Sequence, residues 1–455
     1  MPMRRLPVTV LAVQLLTGAA GAQAPKPAPG LDKIDHIVVI YLENRSFDNL
    51  YGKFPGANGL SNAGAAATQV DRSGKPYDKL PPVMNSNLKP AAVDARFPAD
   101  LPNGPFAAEP YVGLNQTTGD AVHRFYEEQM QIDGGKMDKF VAYTDAGSLV
   151  MSYFDGSKMP LWSYAQKYTL MDNFFHAAFG GSFLNHFYLV CACAPVFPNA
   201  PERIVAKLDD KGNVLKQGWV TPDGYGVNTI FALNGPYPKA MSDASLRLPL
   251  QTAPHIGDRL SAKNISWAWY SGGWNDALAG HPDHDFQFHH QVFAYFASTA
   301  IDTPAGKQHL KDEADLIADI HANRLPNVVF WKPIGEENEH PGYTNVSSGE
   351  HHVREVIRMI EKSPAWASTA IIVTYDENGG MWDHVAPPVI DRFGPGTRVP
   401  TLVISPYAKK GFVDHAQYDT TAILKLIETR WGLEPLASRD AQSGDMTTAF
   451  DFTQQ

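Results

Sequence analysis

Cysteine is almost absent from this 455-residue chain: only Cys191 and Cys193 occur, one residue apart. A bridge between such close neighbours closes no long loop and would be strained, so no disulfide framework holds the fold. The pair reads as two small buried thiols. Long apolar runs are scarce too. Past the first 24 residues, nothing reaches the roughly 18 uninterrupted apolar residues of a spanning helix, so no membrane span is expected. Positive charge is in the minority, with Lys+Arg 38 against Asp+Glu 48 and a net charge of −10. That argues against a nucleic-acid partner held by bulk positive charge, and any anionic ligand has to be attracted locally, by a metal or by histidines. Internal repeats and low-complexity tracts are missing as well.

What is present is a core-forming composition, 44% hydrophobic and 11% aromatic. It excludes a disordered tail, a coiled coil and a collagen-like repeat, and the length suits one large α/β domain or two to three smaller ones. Met1 to Ala24 carries Arg4 and Arg5, an apolar run from Leu6 to Ala20 and the small-x-small ending Ala22-Gln23-Ala24. This is the pattern of a secretory signal peptide, which predicts a secreted or periplasmic protein of residues 25–455. Loss of the two arginines makes the remainder more acidic. Leu-Pro after the arginine pair favours the general export pathway.

Ile34 to Leu42 is nearly continuous and β-branched, as in a strand covered on both faces, and it ends on Glu43-Asn44 with Ser46 as a helix cap. The same grammar returns late in the chain. Asn327 to Trp331 reads as a strand, Glu350 to Lys362 as a helix, Thr369 to Tyr375 as a strand ending on Asp376-Glu377, Val399 to Ile404 as a strand, and Gln417 to Trp431 as a helix. Alternation of this kind predicts an α/β fold, a mainly parallel central sheet sandwiched by helices, with ligands at the carboxyl ends of the strands. Residues 54–120 and 200–260 lack periodicity and read as irregular insertions, the first a surface excursion that covers a site and the second β-rich.

Three segments place metal-ligand or nucleophile side chains on turns after apolar runs: Glu43 to Asp48, Gly180 to His186, and Asp376 to Gly380. Hard divalent cations take oxygen ligands, which two acidic strand ends and an amide can supply. Ser182 follows two glycines, which permit a sharp bend, but its hydroxyl needs a base or a metal to become a nucleophile. Asn185 and His186 lie near Ser182 if a helix starts there. Taken singly, each of these has an ordinary reading as a capping carboxylate or a turn serine. Histidines cluster at His281, His284, His289 and His290, and again at His340, His351, His352 and His384. As imidazolium they supply donors to a phosphate below about pH 6.5.

Glu-Asn-Arg-Ser-Phe-Asp from Glu43, Gly-Gly-Ser-Phe-Leu-Asn-His from Gly180, Glu-His-Pro-Gly-Tyr from Glu339, and Tyr-Asp-Glu-Asn-Gly-Gly-Met-Trp-Asp-His-Val from Tyr375 occur in that order. Together they resemble the bacterial phosphoesterase family that contains phospholipases C and secreted respiratory-burst-inhibiting acid phosphatases, over roughly Ile34 to Trp431. The resemblance implies an alkaline-phosphatase-like α/β sandwich and one divalent metal ion. By position, it implies Glu43, Asn44, Asp376 and Glu377 as metal ligands and Ser182 as the nucleophile that also touches the metal. His123, His289, His290 and His340 match histidines of the phosphate pocket, His289 or His340 being the candidate general acid, with Asn185 as a further substrate contact. Serine in place of the threonine common in phospholipases C resembles the acid phosphatase branch, whereas Asp-Glu stands where some phosphatase members carry Asp-Asp.

The function this implies is hydrolysis of phosphate esters by an acid phosphatase through a phosphoserine, with turnover falling as pH rises past neutrality. A phospholipase C is the alternative, for which the aromatic stretch Trp267 to Trp274 offers either a lipid entrance or a packed wall. A non-catalytic secreted metal-binding module is the third reading.

Overall fold

The computed structural model describes residues 28–454. The signal peptide expected at Met1–Ala24 lies outside the described residues. Eight strands form the central sheet: β1 (His36–Leu42), β2 (Thr169–Met171), β3 (Trp267–Ser271), β4 (Leu310–Asp312), β5 (Val328–Lys332), β6 (Thr369–Tyr375), β7 (Thr401–Ile404) and β8 (Phe412–Asp414). Their spatial order is β4-β3-β5-β1-β6-β7-β2-β8, and β7 alone runs against the rest. This is the expected α/β class with a mainly parallel sheet.

Strand β1 sits at the centre, with Ile37 opposite Val328 of β5 and Ala370 of β6. Every residue from Ile37 to Leu42 is buried, so both faces of the strand are covered. Burying each such Val or Ile contributes about 1.5–3 kcal/mol, which is why an unbroken β-branched run sits here and an alternating one would not. Five helices position the site: α1 (Phe47–Tyr51), α2 (Ser182–Cys191), α3 (Glu313–His321), α4 (Val346–Lys362) and α5 (Thr421–Trp431). Helix α2 packs on α5, while α4 packs on α3 and on the helix Pro160–Lys167. The stripe Val353, Val356, Ile357 and Ile360 of α4 is buried, as its spacing requires. Ser46 caps α1 by accepting from Asn49 N at 3.2 Å.

One expectation is corrected. Cys191 and Cys193 are bonded to each other, not free thiols. Helix α2 ends at Cys191 and Ala192 takes left-handed φ/ψ of 49° and 33°, which doubles the chain back and sets the two Cα atoms 5.2 Å apart, inside the disulfide range. Of the two readings of Trp267 to Trp274, the packed wall holds: β3 is wholly buried and Trp274 is 2% exposed, so these rings are core. Val399–Thr401 leads into an antiparallel strand, a direction that an apolar run does not encode.

Between 54 and 151 the chain is largely irregular but carries its own apolar cluster, including Leu80, Val83, Phe97, Leu101, Phe140 and Trp382. Trp382 ties it to the segment after β6 by donating its indole N–H to Met137 O at 2.9 Å. In the 200–260 stretch a two-stranded hairpin pairs Lys207–Leu208 with Val214–Lys216. Both stretches reach the carboxyl end of the sheet, where the cleft lies.

Candidate active site

Three neighbouring strands end on charged residues. Strand β5 ends on Lys332, β1 is followed by Glu43 and Asn44, and β6 by Asp376 and Glu377. All five side chains are at most 1% exposed. The Asp376 turn is pressed onto Asn44: Gly379 has φ of 63°, and a Cβ there would lie 2.7 Å from Asn44 O. Opposite, the chain bends at Gly180, φ 84°, where a Cβ would lie 2.4 Å from Phe125 N. Glycine is therefore demanded on two counts, and it delivers Ser182 as the first residue of α2. Ser182 is 5% exposed and lines the cleft that opens over the strand ends.

Above these strand ends opens a cleft of about 930 Å³, lined among others by Glu43, His123, Ser182, His289 and His340. The His123 ring is oriented by Nδ1 donating to Ala121 O at 2.6 Å, which turns Nε2 towards Asn44 Nδ2 at 3.4 Å and Glu377 Oε1 at 3.7 Å. The His340 ring is held likewise through Pro341 O at 2.5 Å, with Nε2 accepting from Asn44 Nδ2 at 2.8 Å. Arg45 anchors that turn by donating twice to Glu339 O, at 2.9 and 3.2 Å. His289 lines the cleft with its Nδ1 unpartnered.

Charge compensation in this buried place is uneven. Burial works against ionised Glu43, yet His290 at 2.5 Å and Lys332 at 2.8 Å hold its carboxyl well below the usual range. Burial raises Glu377 well above its usual value and also raises Asp376. Burial lowers His289 and His290, whereas in His123 it is outweighed by Glu377 and Asp120, which raise the imidazole to about 9. The cationic histidine of the cleft is thus His123.

The oxygen atoms fit a cation. Asn44 Oδ1 and Glu377 Oε1 are buried without a hydrogen-bond partner, and Glu43 Oε1 meets Lys332 and His290 without hydrogen-bond geometry. Buried acceptors left in this state cost about 1–3 kcal/mol each unless something positive completes them. An amide and carboxylate oxygens are the donor set of a hard divalent ion. Higher in the cleft, Asp120, His123 and His340 also converge, their ligand atoms within 4.8 Å of one another.

Two expected substrate contacts are corrected. Asn185 faces away from the cleft: its Oδ1 accepts from Ala178 N and its Nδ2 donates to Ala178 O, both at 2.9 Å, so it braces the glycine turn. His290 is absent from the cleft lining and lies against Glu43, stacked on His186 with ring centroids 5.1 Å apart. Phe288–His290 forms a 3-10 turn, whose successive side chains point in different directions, so one histidine faces the cleft and its neighbour the carboxylate behind it. Lys332 was not anticipated. The signal was there, a lysine closing an otherwise apolar strand at the end where ligands bind.

A family model described as the phosphoesterase family matches residues 34–434. The chain belongs to the phosphoesterase family. It is a phosphoesterase-family hydrolase of phosphoric esters, and its named relatives include phospholipases C. Phospholipase C B of Mycobacterium tuberculosis is 27% identical over 94% of this chain and 79% of the relative. Phospholipase C A of the same organism is 28% identical with the same coverage. The non-hemolytic phospholipase C of Burkholderia pseudomallei is 26% identical over 92% of this chain and 59% of the relative. Among solved structures, a protein in the alkaline phosphatase superfamily from Vibrio parahaemolyticus overlaps 64% of each chain at 12% identity, with a TM-score of 0.37.

Proposed function

We propose that this phosphoesterase is an exported, metal-assisted hydrolase that cleaves phosphodiesters in the manner of a phospholipase C, with Ser182 as nucleophile. The observation that carries the reading is Ser182, presented at the first position of α2 in the same cleft as Glu43, beside the buried oxygens of Asn44 and Glu377 that have no hydrogen-bond partner. Glu43, Asn44, Ser182, Asp376 and Glu377 would hold one divalent ion. Bound there, such an ion lowers the hydroxyl pKa and neutralises charge on the phosphoryl oxygens. Ser182 Oγ attacks phosphorus in line, the bond to one leaving alkoxide breaks, and water later cleaves the ester on Ser182, releasing the phosphate that still carries the other alcohol. His123 donates to a non-bridging oxygen through the Nε2 that its ring anchor turns inward. His289 or His340, both lining the cleft, moves the proton to the leaving oxygen.

The diester reading is supported by the phospholipase C relatives and by a cleft of about 930 Å³ whose walls include Trp219, Phe231 and Tyr343, room beyond a phosphoryl group alone. The acid phosphatase reading rests on Ser182 and on the charged walls Lys89, Arg124, Arg203, Asp145 and Asp285, which suit a hydrophilic ester. Hydrolysis of phosphatidylcholine micelles, a chromogenic phosphodiester and its phosphomonoester analogue from pH 4 to 9, with and without chelator, decides. Dominant diester and lipid cleavage supports the proposal. Dominant monoester cleavage on the acid side replaces it with an acid phosphatase. Absence of turnover with every divalent ion replaces both with a metal-binding module.

A further inference from the structure

Lys332 has no exposed side-chain surface and stands outside the cleft lining, so it cannot touch a substrate. Its ammonium donates to Leu42 O at 3.3 Å and to Asp376 Oδ2 at 3.2 Å, and lies 2.8 Å from Glu43 Oε1. The Tyr41 ring closes the remaining side, its centroid 5.1 Å away. The register explains the convergence. Trp331 pairs with Ile40, and Leu42 with Tyr375, so Glu43 and Asp376 stand level on adjacent strands, while Lys332, level with Tyr41 on the third, lies two residues short of them, a gap its long side chain spans.

Three carboxylates, Glu43, Asp376 and Glu377, share this dry volume. Glu377 faces the His123 imidazole at 3.7 Å, whereas Glu43 and Asp376 share the Lys332 ammonium, and a buried carboxylate left bare would cost several kcal/mol. We propose that Lys332 is a resident cation that ties Glu43 to Asp376 and, by filling the space between them, restricts the centre to a single metal ion. It is a positioning residue. The position between two strand-end carboxylates is one a second divalent ion would take, and the ammonium already occupies it with its donors directed at both strands. The inference rests on the metal ligands proposed above: Lys332 meets Glu43 through Oε1, whereas Oε2 faces His340 at 3.6 Å, the ring that Asn44 contacts.

The test is metal content per chain by native mass spectrometry and elemental analysis after dialysis against excess divalent ion, with thermal unfolding in chelator alongside. Wild type is expected to hold one ion, Lys332→Arg one, and Lys332→Gln two. In chelator, Lys332→Gln unfolds at lower temperature than wild type and added divalent ion restores it. Unchanged content and affinity in Lys332→Gln would overturn the proposal. So would failure of both Lys332→Gln and Lys332→Met to fold with the ion present, because the claim is that one cation stands in for another. Wild type holding none while Lys332→Gln holds one would sink the metal-ligand assignment and leave the resident-cation role standing.

Discussion

Asp383 and His384 follow shortly after Asp376 and Glu377, inside the same motif, and both pairs are deeply buried beside β1 and its continuation. With Asp48, the later pair brings ligand atoms within 4.8 Å of one another, a trio that by residue type alone passes for a metal centre. Its partners say otherwise. Arg398 spends all of its N–H groups: on Asp383 at 2.8 and 3.1 Å, on Asp48 at 3.3 Å, and on the carbonyls of Asn58 and Asp172 at 2.8 and 2.7 Å. Asp48 N donates to Asp383, and His384 Nδ1 lies 2.6 Å from Asp48 Oδ2. Around Asp376, by contrast, Asn44 Oδ1 and Glu377 Oε1 have no partner. The two clusters differ in whether their polar atoms are satisfied, and that separates a structural tie from a site built for a ligand.

The sharpest way to break this contrast is substitution in each cluster. Ser182→Ala is expected to lower kcat by about 10⁴-fold or more while leaving the unfolding temperature close to wild type, read by steady-state kinetics and calorimetry. Arg398→Met should do the reverse, removing about 3–5 kcal/mol of stability by stranding Asp48 and Asp383, read by urea unfolding. Equal stability loss in both variants would erase the distinction.

Ligand removal sharpens it further. Saturation with a divalent ion at about 100 times its Kd should add about 2.7 kcal/mol to unfolding, an increment that Glu377→Gln diminishes and Arg398→Met retains.

A pH effect concerns Glu339, which contacts Arg45 and Tyr375 beside the centre. Burial raises the Glu339 carboxyl to about 8, with Tyr375 hydroxyl donating to it at 2.8 Å. Its folded pKa lies above the unfolded value of about 4.5, so its contribution is full below that value and is lost as pH rises through 8. Stability should fall by up to about 1.4 kcal/mol per pH unit across that window, and Glu339→Gln should flatten the slope of unfolding free energy against pH.

Much of this was legible in the chain. The unbroken run before Glu43 announces a central strand, and Thr369–Tyr375 and the α4 stripe follow from periodicity. Oxygen-rich strand ends and the Gly-Gly-Ser turn announce the site. Pairing partners were not legible: which residue a histidine or amide faces depends on elements far away in sequence. Thus Asn185, chemically apt for a substrate, is spent on Ala178, and His290 on Glu43. The Cys191–Cys193 bridge depended on a left-handed Ala192 that no local rule assigns.

The most direct measurement is acid-quench trapping of the enzyme on a slowly turned-over phosphate ester, followed by peptide mass spectrometry. The account predicts a phosphate on Ser182, still esterified to the retained alcohol when the substrate is a diester, formed only with divalent ion present and absent in Ser182→Ala. Full turnover by Ser182→Ala, or a phosphoryl group on another side chain, would contradict it.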